Sequence, residues 1–300
     1  MYSIPDLETF LAVARANSVT QAARQLNISP ATTSHRLQKL EDALNVQLFY
    51  RNSRKLVLSE EGQIFFQRIE KILEDLYQTE CEVGAGQLPL RGSLRTTMSP
   101  WILSRVLMPY LEGFRNQFPE LSLNFLTVDR FVPLVEEAQD CAIRIGNLND
   151  SSLIAHKLCD NKRIICAAPD FIKKFGFPET LEDLQDAHWV CLPWQTSFDV
   201  LNHKGKRLEI RAKRNVAVSS SDMLTSGAVQ GLGLALKSRL AIQSELETGQ
   251  LIEVMPSFLM PETAPIWFVH PPSAKGTRKV SEFLKVTKKA FQDFISQNKD

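Results

Sequence analysis

The sequence predicts a molecule in two parts: a small helical domain with a two-stranded hairpin and a long helix, then a larger α/β domain. Three observations carry that prediction. Apolar residues recur at helical spacing through the first eighty or so residues, in short blocks closed by Asn, Ser and Pro. Near residues 81–92 the composition shifts, with Gly84, Gly86, Pro89 and Gly92 ending a long helical pattern, which places a linker there. From Arg91 onward, strand-like and helix-like stretches alternate, the signature of α/β architecture. With 300 residues, 44% hydrophobic and 23% charged, the chain has length and composition for about two globular domains.

The elements follow in order. Leu7, Phe10, Leu11 and Ala14 fall at i, i+3, i+4 and i+7, one apolar stripe of a first helix that Asn17 and Ser18 end. Ser18 then caps a second helix whose inner face is Ala22, Ala23 and Leu26, small enough to let another helix approach closely. Asn27 stands at the turn, as one of the few residue types besides Gly that tolerate a left-handed backbone. Ser29 is the next cap, and Pro30 suits the first helical position because its missing N–H would be unbonded there anyway. The third helix, 30–44, buries Leu37, Leu40 and Leu44 and turns Ala31, Thr32, Ser34, His35 and Gln38 outward. Residues 46–50 and 55–58 read as two short strands around the basic tip Arg51, Asn52, Ser53 and Arg54. Ser59 with Glu60 and Glu61 starts a helix whose acidic first turn suits the helix dipole. Along it Phe66, Ile69, Leu73, Leu76, Glu80 and Val83 are spaced 3, 4, 3, 4, 3, a coiled-coil seam with one charged interruption. Such a helix either pairs with a second copy or packs on its own domain.

In the second part, 94–98, 121–128 and 141–145 read as strands, with a helix at 100–117 joining the first two. Further strands are 163–168, 189–192 and 215–218, with a helix at 169–175 and a hairpin turning at 202–205. Ser221 and Asp222 cap a helix running to Gly231, residues 233–236 and 266–270 are strands, and the last helix turns Val280, Phe283, Leu284, Thr287, Phe291 and Phe294 inward. Gly231-x-Gly233 reads as a helix stop and tight turn rather than a phosphate cradle.

Composition excludes several functions. No apolar stretch approaches the ~18 residues that span a bilayer, and Met1-Tyr2-Ser3-Ile4-Pro5-Asp6 lacks the cationic and apolar parts of a signal peptide, so the expectation is a cytoplasmic chain with no membrane partner. Cys81, Cys141, Cys159, Cys166 and Cys191 lie far apart with no C-x-x-C pair, which argues against a disulfide framework or a zinc site. The five histidines make no metal-spaced pair, and no G-x-S-x-G, P-loop or Cys/His motif is present. The expectation is therefore a protein that is not an enzyme and needs no cofactor.

Net charge is only +1, but it is unevenly placed. Within 19–58 six basic residues (Arg24, Arg36, Lys39, Arg51, Arg54, Lys55) stand against Glu41 and Asp42. Two helices joined by a three-residue turn could be a plain helical hairpin. Here the outward face of the third helix carries small, hydroxylated and amide side chains, types that enter a major groove and bond base edges and phosphates. The basic hairpin tip after it can reach a phosphate backbone or minor groove.

These residues also carry a family resemblance. The run Ser18-Val19-Thr20-Gln21-Ala22-Ala23-Arg24-Gln25-Leu26-Asn27-Ile28-Ser29-Pro30-Ala31-Thr32-Thr33-Ser34, then Leu37-Gln38-Lys39-Leu40-Glu41, Leu44-Asn45-Val46-Gln47-Leu48-Phe49, Arg51 and Leu58-Ser59-Glu60-Glu61-Gly62, resembles the winged helix-turn-helix of LysR-type transcriptional regulators. It departs at Thr33, where the family usually buries an aliphatic residue, at His35, where Arg is common, and at Asn45, where Gly is common. Further on, Asp140-Cys141-Ala142-Ile143-Arg144-Ile145-Gly146, Asp150-Ser151-Ser152-Leu153-Ile154-Ala155, Cys166-Ala167-Ala168-Pro169 and Gly231-Leu232-Gly233-Leu234-Ala235-Leu236 resemble the effector domain of the same family, which has the two-lobed fold of periplasmic solute-binding proteins.

The resemblance implies a winged helix-turn-helix domain at 1–58, a dimerising linker helix and hinge at 59–90, and a two-lobed α/β effector domain at 91–300, with lobe I 91–164 plus 267–300 and lobe II 165–266. DNA contacts are expected from Ser29, Pro30, Ala31, Thr32, Ser34, His35, Gln38 and Lys39 of the third helix and from Arg51, Arg54 and Lys55 of the wing. Pairing is expected through Phe66, Ile69, Leu73, Leu76 and Val83, giving a homodimer or homotetramer on a palindromic site. In the cleft, where strand ends and helix amino termini favour anionic oxygens, Ser99, Trp101, Thr127, Gly146, Gln195 and Ser221 are ligand candidates, each alternatively a cap or loop residue. Arg144 either pairs an effector carboxylate or forms a structural ion pair. RNA polymerase is a further expected partner. Two other functions stand against this reading, an architectural DNA binder without ligand response and a small-molecule enzyme with an accessory helical domain.

Overall fold

The structure, a computed structural model, describes residues 1–52, 55–83, 89–148, 152–195, 197–201, 206–212, 214–256, 264–272 and 277–297. The chain divides into two compact units, Met1–Leu88 and Pro89–Asp300.

The first unit contains α1 (Ile4–Ala16), α2 (Val19–Gln25), α3 (Pro30–Leu44), β1 (Phe49–Asn52), β2 (Lys55–Leu58) and α4 (Glu60–Val83). Its helices begin where the sequence offers caps: Ser18 Oγ accepts from Gln21 N, and Ser29 Oγ accepts from Thr32 N with Pro30 at the first helical position. Asn17, Asn27 and Asn45 stand just past the three helices with φ of 48, 52 and 53°, the left-handed geometry that lets a helix end in a tight turn. Phe10 is the centre of the core, its ring packed against Phe49, Phe65 and Phe66. Thr33 is wholly buried but satisfied, its hydroxyl donating to Ser29 O at 3.1 Å.

Two expectations are corrected here. The first strand starts at Phe49 rather than residue 46, because α3 closes with Val46 N on Glu41 O while Glu41 Oε1 accepts from Leu48 N and Phe49 N. Those bonds take up the backbone of 46–48 before β1 can pair; Arg51 and Asn52 then belong to β1, and 53–54 lie outside the described residues. The seam on α4 is likewise not free: Ile69 and Leu73 are 6% and 3% exposed within the unit's own core, with Phe66 and Leu76 partly buried beside them. An Arg15–Glu70 ion pair at 2.6 Å and a Tyr77 hydroxyl donating to Glu8 fasten α4 to α1. The side chain of Val83 lies outside the described residues, and among the described ones the large apolar groups α4 leaves in solvent are Ile64 and Ile72. Gly62 is required where it stands, since a Cβ there would meet the Leu48 carbonyl oxygen at 2.1 Å.

The second unit contains β3 (Gly92–Met98), a π-helical turn (Ile102–Leu107) running into α5 (Met108–Gln117), β4 (Leu121–Thr127), β5 (Cys141–Ile145), β6 (Ile154–Cys159), β7 (Arg163–Ala167), α6 (Pro169–Phe175), α7 (Leu181–Asp186) and β8 (His188–Cys191). Then come β9 (Ser197–Leu201), β10 (Arg207–Arg211), β11 (Arg214–Ala217), α8 (Ser221–Val229), β12 (Ala235–Ser238), α9 (Gln243–Glu247), β13 (Ile252–Glu253), β14 (Ile266–His270) and α10 (Arg278–Gln297).

These strands form two bodies. One is a five-stranded sheet in the order β4-β3-β5-β14-β6, with β3 parallel to both neighbours and β14 antiparallel to both of its own. The other holds the sheet β12-β7-β13, the parallel pair β11-β8 bridged to it at Trp189–Leu234, and the β9–β10 hairpin, whose turn at 202–205 lies outside the described residues. The chain crosses between the bodies twice, before β7 and before β14. Asn161 ties the crossings together: its backbone and side-chain amide both bond Ala264, and its Oδ1 accepts from Ser238 Oγ. Ser220, not Ser221, caps α8 through Met223 N, so Ser221 is the first helical residue. The turn after α8 uses Gly231 at φ 71°, and Gly233 passes so close to His188 that a Cβ would meet its carbonyl oxygen at 2.5 Å.

Candidate functional site

On the first unit, Ser29, Pro30, Ala31, Thr32, Ser34, His35 and Gln38 are all exposed along one face of α3. Thr33, Leu37 and Leu40, on the opposite face, pack inward and fix the helix's rotation. Some of the polar groups already have local partners: Ser29 and Thr32 hydroxyls share a hydrogen bond at 2.8 Å, and Gln38 Nε2 donates to Asp42 Oδ1 at 2.8 Å. Lys39 is half-buried and its ammonium lies 2.8 Å from the buried Asp6 carboxylate, so its charge holds α3 to α1. Glu41, buried beside it, carries the hairpin through its bonds to Leu48 N and Phe49 N. The hairpin pairs Arg51 with Leu56 and Asn52 with Lys55; the side chains of Arg51 and Lys55, and all of Arg54, lie outside the described residues.

In the second unit a cavity of about 730 Å³ lies between the two bodies. That volume suits a small organic molecule. Ser99, Trp101, Arg144, Gln195 and Ser221, expected from the sequence, all line it. Thr127 and Gly146 do not. Thr127 ends β4 facing solvent and the chain reaches the cavity only at the next residues, Val128 and Asp129. Gly146 is a backbone junction at φ 109°, its N–H donating to Pro265 O and its carbonyl accepting from Trp267 Nε1.

Trp101 is buried against Phe294 and forms part of the floor. Arg144 donates to Val132 O at 2.8 Å and lies 4.2 Å over the Phe131 ring, a cation–π contact at the rim. The residues that sequence reasoning missed are Asp129, Arg163 and Lys237. Asp129 accepts from Ser99 Oγ and from Ser221 N, at 2.5 and 2.6 Å, joining the two bodies. Lys237 is 3% exposed and donates to Ser221 O and Oγ at 2.8 and 2.6 Å; burial pushes its ammonium down to about 8. Arg163 faces the same space, its pKa lowered by burial. One sequence signal was available: Lys237 is a lone charge at the end of the otherwise apolar run Leu234-Ala235-Leu236.

Other chemistry is sparse. Among the described residues no three His, Cys, Asp or Glu side chains cluster as a metal site. Burial pushes the thiols of Cys141, Cys159 and Cys166 up to about 12 and that of Cys191 to about 11, which keeps them protonated at neutral pH.

Comparison with known proteins agrees with this division. Residues 4–63 match the family described as bacterial regulatory helix-turn-helix protein, lysR family, and residues 88–292 match the LysR substrate binding domain. The chain is 32% identical over 291 residues to the HTH-type transcriptional regulator DmlR of Escherichia coli K12, covering 93% of this chain and 92% of that one. The solved structure of CrgA, a LysR-type transcriptional regulator from Neisseria meningitidis, is 25% identical and superposes with a TM-score of 0.60 over 98% of this chain and 99% of its own. A Corynebacterium glutamicum OxyR mutant, 20% identical, shares the fold with a TM-score of 0.68 over 99% and 94% of the two chains.

Proposed function

The chain belongs to the family of LysR-type transcriptional regulators, DNA-binding proteins controlled by small-molecule effectors, and on that premise we propose which of its residues read DNA and which answer the effector. The observation that carries the proposal is the polar face of α3, Ala31, Thr32, Ser34, His35 and Gln38, held outward by a buried face on the same helix. These side chains enter a major groove, with the wing residues Arg51, Arg54 and Lys55 on phosphate or in the adjacent minor groove. Lys39 supports α3 through Asp6 rather than touching DNA.

Two copies bind a palindromic site, paired through the α4 face that carries Ile64 and Ile72, since the seam residues Ile69 and Leu73 are spent on the chain's own core. The effector is a small carboxylate held in the 730 Å³ cavity, where cationic side chains outnumber acidic ones. Its binding changes the relation of the two bodies about the Asn161 crossings and so the geometry of the paired α3 helices on DNA. The work is done in the cytoplasm, with RNA polymerase as the downstream partner; the curated relatives are named as transcriptional regulators, and no enzymatic step is proposed. Footprinting on the DNA upstream of the chain's own coding region, with and without small carboxylates, tests the reading. Protection of two symmetric half-sites that alters on ligand addition is expected, and uniform or absent protection would overturn it.

A further inference from the structure

The lining of the cavity has a charge imbalance. Among the described residues four cationic side chains, Arg130, Arg144, Arg163 and Lys237, line it together with one carboxylate, Asp129, and Arg144 is already engaged by Val132 O and the Phe131 ring. Arg130 is neutralised by Glu137 at 2.8 Å on its own loop. Arg163 has no hydrogen-bond or ion-pair partner for its guanidinium among the described residues, and burial alone acts on it. Lys237 is buried, and the atoms its ammonium bonds, Ser221 O and Oγ, are neutral. The carboxylates that act on Lys237, Asp129 and Asp222, do so only at longer range than a direct bond, so an anion that reached its ammonium would stabilise the buried charge.

Asp129 occupies the place such an anion would take. Its two oxygens accept from Ser99 Oγ on one body and from Ser221 N, the first N–H of α8, on the other. Lys237 stands one hydrogen bond further on, against Ser221. A hydroxyl, a helix-terminal N–H and a nearby ammonium together form a carboxylate seat. In this structure the chain's own side chain fills it.

We propose that Asp129 is an internal stand-in for the effector's carboxylate, holding the seat between Ser99 and Ser221 until a small organic carboxylate, drawn in by Arg163 and Lys237, displaces it. The inference rests on the effector reading above and adds what the ligand competes with. No covalent step is involved; one carboxylate replaces another. A ligand without an anionic group has nothing to offer that seat, and removal of the Asp129 side chain leaves a site that simple carboxylates refill.

The experiment is rescue of the full-length Asp129→Ala chain, followed by thermal melting in chloride-containing buffer with added formate or acetate. Asp129→Ala melts several degrees below the original chain, and tens of millimolar formate or acetate restores most of the loss. Equal concentrations of extra chloride, or of the neutral formamide and acetamide, do not. Adding Lys237→Met to Asp129→Ala abolishes the rescue. Should Asp129→Ala fail to fold, Asp129→Asn keeps the volume but fills the seat with a neutral amide, and acetate then stabilises it more than it stabilises the original chain. Equal responses of variant and original chain to carboxylates, or rescue by chloride and amides alike, overturn the proposal. The effector reading fails separately: it falls if no small molecule changes DNA binding by the original chain even though formate rescues the variant, and it stands if some other molecule does so while the rescue fails.

Discussion

Lys39 Nζ lies 2.8 Å from Asp6 Oδ2, which fastens α3 to the first turn of α1. Burial pushes the Asp6 carboxyl up, but the hydrogen bonds from Lys39 and Ser3 outweigh it and leave it below the ordinary carboxylate range. The contact is therefore present at neutral pH and lost as pH falls through that lowered value. Lys39→Met should cost about 1 kcal/mol of stability, the modest figure reflecting a lysine that is itself partly in solvent. Urea melts would measure the loss. An unchanged melt with a shallower salt dependence of DNA affinity would make Lys39 a phosphate contact instead.

The wing should behave in the opposite way. Replacing Arg51, Arg54 or Lys55 by Gln should weaken binding to all DNA sequences alike and lower the slope of log affinity against log salt by about 0.9 per residue. Binding isotherms over a salt series check this. An effect confined to one base position would contradict it.

Much of the first unit was legible because its signals are local. Ser18, Ser29 and Pro30 start helices, and Asn17, Asn27 and Asn45 end them, through contacts within four or five residues. What local pattern could not show was the destination of a face. The 3-4 spacing from Phe66 through Leu76 reads the same whether its partner is a second copy or α1, and the structure gives those residues to the core around Phe10. In the second unit β6 was missed because His156 and Lys157 interrupt its apolar run, and only pairing with β14, more than a hundred residues on, makes it a strand. The cleft was half legible: Ser99 and Ser221 sit at strand-to-helix junctions, whereas Asp129 and Lys237 gain meaning only from each other's position across the two bodies.

The two faces of α4 can be separated by substitution. Leu73→Ala should destabilise the folded chain by about 2–5 kcal/mol, the usual range for a buried leucine. Ile72→Glu, on an exposed position, should leave the melt nearly unchanged and shift the chain toward monomer in light scattering. A dimer indifferent to Ile72→Glu would move the pairing surface elsewhere.

Lys237 gives the second unit an alkaline signature. Its ammonium is held down to about 8 by burial, against 10.5 in an unfolded chain, so between those values the unfolded state binds the proton more tightly. Stability from this group therefore rises with pH across that window, by up to about 3 kcal/mol, and the full cost of the buried charge is present below it. Lys237→Met should abolish the rise. Urea midpoints of both chains at several pH values would reveal it, and parallel curves would show that the ammonium is not desolvated.

Four thiols are buried with raised pKa values, leaving Cys81 as the one cysteine whose side chain is not described. Native labelling with a thiol-specific reagent should therefore modify at most one of the five cysteines. Rapid labelling of two or more would contradict the burial of Cys141, Cys159, Cys166 or Cys191.

The most direct test of the central claim, that the exposed face of α3 reads DNA sequence, is selection from a randomised duplex library. The original chain and a variant carrying Thr32→Ala, Ser34→Ala and Gln38→Ala would be compared. Each good base contact is worth roughly 1–3 kcal/mol, so the original chain should enrich an inverted-repeat motif, with the variant losing preference at specific positions while keeping its salt-dependent affinity. The same motif at the same strength from both chains, or no motif from the original, would contradict the account.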